Sequence, residues 1–168
     1  MSFDSPPRRV LFVCLGNICR SPAAEAVFAR KATAAGLPER GVTWDSCGTG
    51  GWHAGNPSDS RMIAAGTRRG YEFTHRARRI RPEDFSEFDL ILTMDESNYD
   101  DVVALAPSRD AAKKVCPFVE YLTRRKVRAI PDPYYGGPDG FEEVLDLLED
   151  GCDALVAELA GGTGRDVV

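Results

Sequence analysis

Cys14 and Arg20 stand six positions apart in Cys14-Leu15-Gly16-Asn17-Ile18-Cys19-Arg20-Ser21, directly after the apolar run Val10-Leu11-Phe12-Val13. A loop between a buried strand and a helix start turns several backbone N–H groups inward, and the helix N-terminus adds partial positive charge. Such a loop takes a dianion at its centre. The same field favours a thiolate over a thiol. A sulfur nucleophile beneath a bound phosphate is an arrangement for removing that phosphate, through a phosphocysteine intermediate. Arg20 offers two parallel N–H donors to two phosphate oxygens, which a lysine cannot do. Gly16 admits close approach of the backbone, and Asn17 is among the few other residues that accept a left-handed conformation. Two roles are open to Ser21. It can cap the following helix, where Pro22 suits the first helical position, or its hydroxyl can donate to the Cys14 sulfur.

The elements that must position this loop are legible around it. The 168 residues are expected to form a single domain, 1–168, with 1–8 and 161–168 as loose tails. Strand-like segments at 10–13, 42–46, 89–93 and 114–118 alternate with helix-like ones. That pattern predicts an α/β fold with a parallel sheet and crossover helices. Helices are expected over 21–36, from Pro57 to Gly70, from an Asp95 cap towards Leu105, and last through Phe141, Val144, Leu145, Leu148, Cys152, Leu155 and Leu159. Asp139 and Glu142 read as a capping box for that last helix, and Gly161-Gly162 as its stop.

Composition sets limits on function. A net charge of −5 argues against a nucleic-acid partner. The apolar run after Arg8-Arg9 is too short for a signal peptide or a membrane span. Five cysteines, at 14, 19, 47, 116 and 152, are odd in number and scattered, with no C-x-x-C pair. That is neither a disulfide framework nor a zinc site, and it suits a reducing cytoplasm.

The stretch from Val10 to Phe28 resembles the phosphate loop of the low-molecular-weight protein tyrosine phosphatases, and the likeness extends from about Arg9 to the last helix. Its further anchors are Asp45-Ser46, Gly50-Gly51-Trp52-His53, His75-Arg76-Ala77-Arg78, Met94-Asp95-Glu96-Ser97-Asn98 and Asp132-Pro133-Tyr134-Tyr135-Gly136. The resemblance implies a four-stranded parallel sheet in the order 2-1-3-4 with helices on both faces. It also implies hydrolysis of phosphotyrosine in a protein or peptide substrate, by a chain expected to work as a monomer with room for weak self-association. No metal or other cofactor is required by that chemistry.

Phenolate is a poor leaving group, so an acid must protonate the tyrosyl oxygen as phosphorus is attacked. The resemblance puts the general acid at Asp132; from the peptide alone an aspartate before Pro133 reads as a turn residue. It places Leu15, Trp52 and Tyr134 in the cleft with His53 at its rim, and Tyr135 beside them. Such aromatic walls suit a substrate long enough to reach the loop. Asn17, Ser21, Ser46 and His75 match the polar network that holds the family's loop in shape. Asp95 matches too, although helix capping alone explains it. Arg76, Arg78, Arg79 and Arg81 read as a solvated basic face, some pairing with Glu83 and Asp84. Cys19 is either a small buried side chain or, by the resemblance, the partner of Cys14 in a reversible disulfide.

Rivals are weaker on particular residues. Arsenate reductases of the same fold relay electrons through further cysteines, and residues 76–115 contain none. Protein arginine phosphatases carry threonine where this chain has Ile18, and lack the doubled tyrosine. A non-catalytic phosphotyrosine-binding module would not need Cys14, Arg20 and Asp132 together. A nucleotide-binding loop is excluded because no Gly-Lys-Ser/Thr follows the glycine.

Overall fold

The computed structural model describes residues 6–161, and the rest of the two expected tails lies outside them. Four strands, β1 (Arg9–Cys14), β2 (Thr43–Gly48), β3 (Leu90–Thr93) and β4 (Val115–Pro117), form one parallel sheet in the order β2-β1-β3-β4. The expected α/β class and strand order are both observed. β1 is central and continuously buried after Arg9, as a strand covered on both faces must be.

Alternation along β1 assigns its side chains to two cores. Val10, Phe12 and Cys14 join one, built largely with α1 (Arg20–Ala34) and α6 (Pro138–Leu159), while Leu11 and Val13 join the other. On that second face Leu11 and Val13 meet Phe85 of α3 (Asp84–Glu87), Val102 of α4 (Glu96–Leu105) and Ala111 of α5 (Arg109–Ala112). Helices therefore cover both faces. Phe12 packs at 5.6 Å from Phe28 and 6.4 Å from Phe118, ring centre to ring centre, which fixes β1 against α1 just below the phosphate loop.

Three local expectations are corrected. The helix expected from Pro57 is α2 (Ser60–Arg68), because the Asp59 carboxylate accepts the Arg61 N–H at 2.8 Å and caps it there, while Pro57 pairs across a bridge with Arg76. Asp139 and Glu142 make no capping box. Gly137 occupies the cap position without a side-chain bond, Pro138 opens α6, and the Glu142 carboxylate is drawn to Arg68 and Arg69 instead. Nor is Arg8 loose: its N–H donates to Asp89 at 3.0 Å and its carbonyl accepts the Thr43 N–H. Among the described residues no helix is long and apolar enough to cross a membrane.

Candidate active site

β1 ends at Cys14 and α1 begins at Arg20, so the five residues between them must turn the chain within one loop. Asn17 makes the turn at φ 57°, the one positive φ among the described non-glycine residues. It is fully buried, and both of its side-chain polar atoms are used. Its Nδ2 donates to Ser21 Oγ (2.8 Å) and Ser46 Oγ (3.0 Å), and its Oδ1 accepts from the Arg78 N–H (2.9 Å) and meets His75 Nε2 (2.7 Å). β2 closes against the loop from the side. A Cβ on Gly48 would stand 2.6 Å from the Leu15 carbonyl oxygen, so only glycine allows that approach. Thr49 and Gly50 then donate to the Cys14 and Leu15 carbonyls, both at 2.9 Å.

Cys14 is buried, with its sulfur 2.9 Å from Ser21 Oγ and 3.4 Å from the Ser21 N–H. Ser21 lies inside α1, so the second of its two open roles is the one observed. Its hydroxyl also reaches the Cys47 carbonyl at 3.2 Å. The single hydroxyl proton can therefore serve a thiolate when one forms and the carbonyl otherwise.

Arg20 is 3% exposed. Its Nη1 donates to Asp95 (2.7 Å) and to the Ile130 carbonyl (3.1 Å), and its Nη2 stands 3.5 Å from Asp132 Oδ2. With Nη1 fully engaged, the Nε/Nη2 edge keeps two parallel donors for an anion. Burial disfavours the charged guanidinium, but Cys14, Asp95 and Asp132 outweigh it and hold its pKa above the usual arginine range.

Charged side chains stand behind Asn17. Ser46 Oγ donates to Glu25 at 2.6 Å, and His75 Nδ1 lies 3.3 Å from both Glu25 and Asp45. These three residues are the described group whose donor atoms lie close enough to hold a metal. Three of their carboxylate oxygens already accept hydrogen bonds: Asp45 from Arg78 and from the Ser46 N–H, and Glu25 from Ser46. Asn17 Oδ1 can only accept, so His75 Nε2 is the donor of that pair. Burial raises Glu25; for Asp45, bonds from His75, Ser46 and Arg78 overcome the burial and lower it.

Arg78 also corrects the reading of residues 76–81 as one solvated face. It is half-buried, forks to the fully buried Asp84 at 3.0 Å on both oxygens, and reaches Asp45. Arg81 pairs with Asp84 and Glu87, whereas Arg76 and Arg79 are exposed and donate to the Gly55 and Thr49 carbonyls.

Above the loop opens a cleft of about 340 Å³. Cys14, Leu15, Gly16, Ile18, Cys19 and Arg20 form its floor, with Trp52, His53, Asp132, Tyr134 and Tyr135 also lining it. Asp132 is carried over the floor by the segment before α6, and its Oδ1 accepts the Tyr134 N–H at 3.1 Å. Burial, followed by Asp59, Cys14 and Asp132, pushes the Cys19 thiol well up.

A family model of the low molecular weight phosphotyrosine protein phosphatases matches residues 9–163. The chain belongs to this family. A Schizosaccharomyces pombe low molecular weight phosphotyrosine protein phosphatase is 46% identical over 152 residues, covering 90% of this chain and 97% of the relative. The crystal structure of a protein tyrosine phosphatase from Entamoeba histolytica, with Hepes in its active site, superposes at a TM-score of 0.88 with 42% identity, over 91% of this chain and 97% of that one. Vibrio vulnificus Wzb in complex with benzylphosphonate superposes at 0.77 with 27% identity, over 91% and 99%.

Every site residue expected from the family likeness stands in the cleft or directly behind it. Three contributors carried too little signal to be singled out, namely Glu25, Gly48 and the Ile130 carbonyl, while Arg78 reads in the sequence as part of a solvated face and Asp95 as a helix cap that also matches the family. Asp95 does cap α4, accepting the Asn98 N–H at 2.8 Å, and at the same time anchors Arg20.

Proposed function

We propose that this chain hydrolyses phosphotyrosine in proteins or peptides. The observation that carries the reading is the convergence of Cys14, the open edge of Arg20, Asp132 and the Trp52 and Tyr134 rings on one cleft. The phosphate sits in the loop with two oxygens on the Arg20 edge and others on inward backbone N–H groups. Cys14 Sγ attacks phosphorus as the bond to the tyrosyl oxygen breaks, and Asp132 delivers its proton to that oxygen. Tyrosine departs. Asp132, now a carboxylate, takes a proton from a water that attacks phosphorus, the S–P bond breaks, and inorganic phosphate leaves. Ser21 stabilises the sulfur as it regains negative charge. None of these steps calls for a metal.

The aromatic walls favour a ring and a long reach, which phosphoserine lacks. The benzylphosphonate held by the Vibrio relative is a molecule of that shape. Cys19 lines the same cleft as Cys14, and that supports a protective role under peroxide. A Cys14 sulfenic acid condenses with the Cys19 thiol to a disulfide and releases water. The odd number and scattered spacing of the cysteines suit a reducing cytoplasm, where we place the protein.

The test is phosphate release from phosphotyrosine, phosphoarginine and phosphoserine peptides in parallel, without added metal. Tyrosine-selective turnover that Cys14→Ser abolishes is expected. Arginine-selective turnover would overturn the substrate assignment, and no turnover by folded, reduced protein would overturn the catalytic one.

A further inference from the structure

We infer that Arg61 is a positioning residue that ties the segment carrying Asp132 to the phosphate loop, setting how well the acid meets the leaving oxygen. The inference rests on the reading of Asp132 as general acid. Four links join the two loops. The Asp59 N–H donates to the Ile18 carbonyl at 2.8 Å, fastening Asp59 to the phosphate loop. Asp59 grips the Arg61 guanidinium with both oxygens, at 3.1 Å to Nε and 2.8 Å to Nη2. Arg61 Nη2 then donates to the Tyr134 carbonyl at 3.0 Å, and the Tyr134 N–H holds Asp132 Oδ1.

Aromatic faces add to the bridge. The guanidinium carbon lies 5.4 Å from the Tyr134 ring centre and 4.9 Å from that of Phe141, at the start of α6. One cation thus touches the cleft wall, the backbone behind the acid and the helix that follows. The bond from Arg61 holds the Asp59 carboxyl below the usual range, so the bridge stays ionised at neutral pH. Apart from this bridge, the described bonds from the rest of the protein to residues 132–136 come down to the long contact between Arg20 and Asp132. Lysine cannot replace Arg61, since a single ammonium lacks the planar fork that serves Asp59 and Tyr134 together.

Leaving-group dependence separates positioning of an acid from general support. Phenyl phosphate expels a phenolate as basic as tyrosine's and needs protonation, whereas p-nitrophenyl phosphate expels a more acidic phenol and needs little. Wild type, Arg61→Met, Arg61→Lys, Asp59→Asn and the Asp59→Asn/Arg61→Met pair are compared by kcat/KM on both esters. Asn keeps the α2 cap, so Asp59→Asn removes the grip and not the helix start. Wild-type turnover of both esters, abolished by Cys14→Ser, secures the underlying reading independently. On phenyl phosphate Arg61→Met and Arg61→Lys are then expected to lose about tenfold, a fraction of what an acid supplies, against less than about twofold on the activated ester. The double variant is expected to lose no more than Arg61→Met alone. Equal losses on the two esters, rescue by lysine, or losses that multiply in the double variant would overturn the inference.

Discussion

Asn17, in the loop beneath the cleft, is fully buried and bound by four neighbours, whereas Tyr135, three residues past Asp132 on the opposite wall, is 95% exposed. The phosphate loop is fixed by β1, β2, α1 and residues 75–78, and Gly48 is pressed against its backbone. The acid segment hangs from one arginine bridge and one long contact. On the proposed mechanism the difference follows from what each must do. Donors aimed at a transferring phosphoryl group help most when they need no reorganisation. A carboxyl that serves first as acid and then as base, over a cleft that must admit a substrate and release a product, needs room to move.

Substitutions on the two sides should therefore separate activity from stability. The largest effect is expected from Cys14→Ser: phosphate release falls by at least about 10⁴-fold while far-ultraviolet circular dichroism and Tm stay near wild type. Asp132→Asn should cost roughly 10²–10⁴-fold on a phosphotyrosine peptide. Its Tm should move little, because the side chain is part-exposed and holds only a local N–H and one long contact to Arg20. Asn17→Ala should show the reverse emphasis. It strands buried partners and puts a Cβ-bearing residue without a polar side chain at φ 57°, at a cost of about 3 kcal/mol, or roughly 6–12 °C in Tm. If Asp132→Asn unfolded the protein and Asn17→Ala did not, the contrast between the two loops would be broken.

The smallest effect sharpens the picture behind the loop. Asp45 has a folded-state pKa below its unfolded value, so its contribution is complete above about pH 4 and is lost as pH falls through the lower folded value. Asp45→Asn is expected to destabilise by on the order of 1 kcal/mol at pH 7, the upper end for part-exposed ion pairs. In urea titrations the two proteins should converge in stability once pH has fallen through that lower folded value. A gap that persisted there would mean that packing, not charge, makes Asp45 useful.

What could be read from the chain divides along sequence separation. Cys14 to Ser21 form one contiguous stretch whose residue types and spacing state their own chemistry, and Asp132 follows from a short motif tied to it by family likeness. Glu25, Arg78 and the Ile130 carbonyl act only because parallel crossovers bring α1, the segment after α2 and the stretch before Asp132 to the same end of the sheet. Nothing local marks them. Arg78 looked like its neighbours because composition does not say which arginine the fold turns inward: Arg78 and Arg81 both meet Asp84, and Arg78 alone of the four is half-buried. Helix starts slipped for a related reason. Asp59 caps α2 three residues beyond the Asn56-Pro57 start that was expected, and Glu142 found two arginines more attractive than its own backbone.

The most direct measurement is a rapid quench of Asp132→Asn mixed with an activated aryl phosphate, followed by peptide mapping. With the leaving group no longer in need of an acid and the base for hydrolysis removed, phosphate should accumulate on the peptide that carries Cys14. Release of inorganic phosphate with no label on the protein, or label on any other residue, would contradict the mechanism.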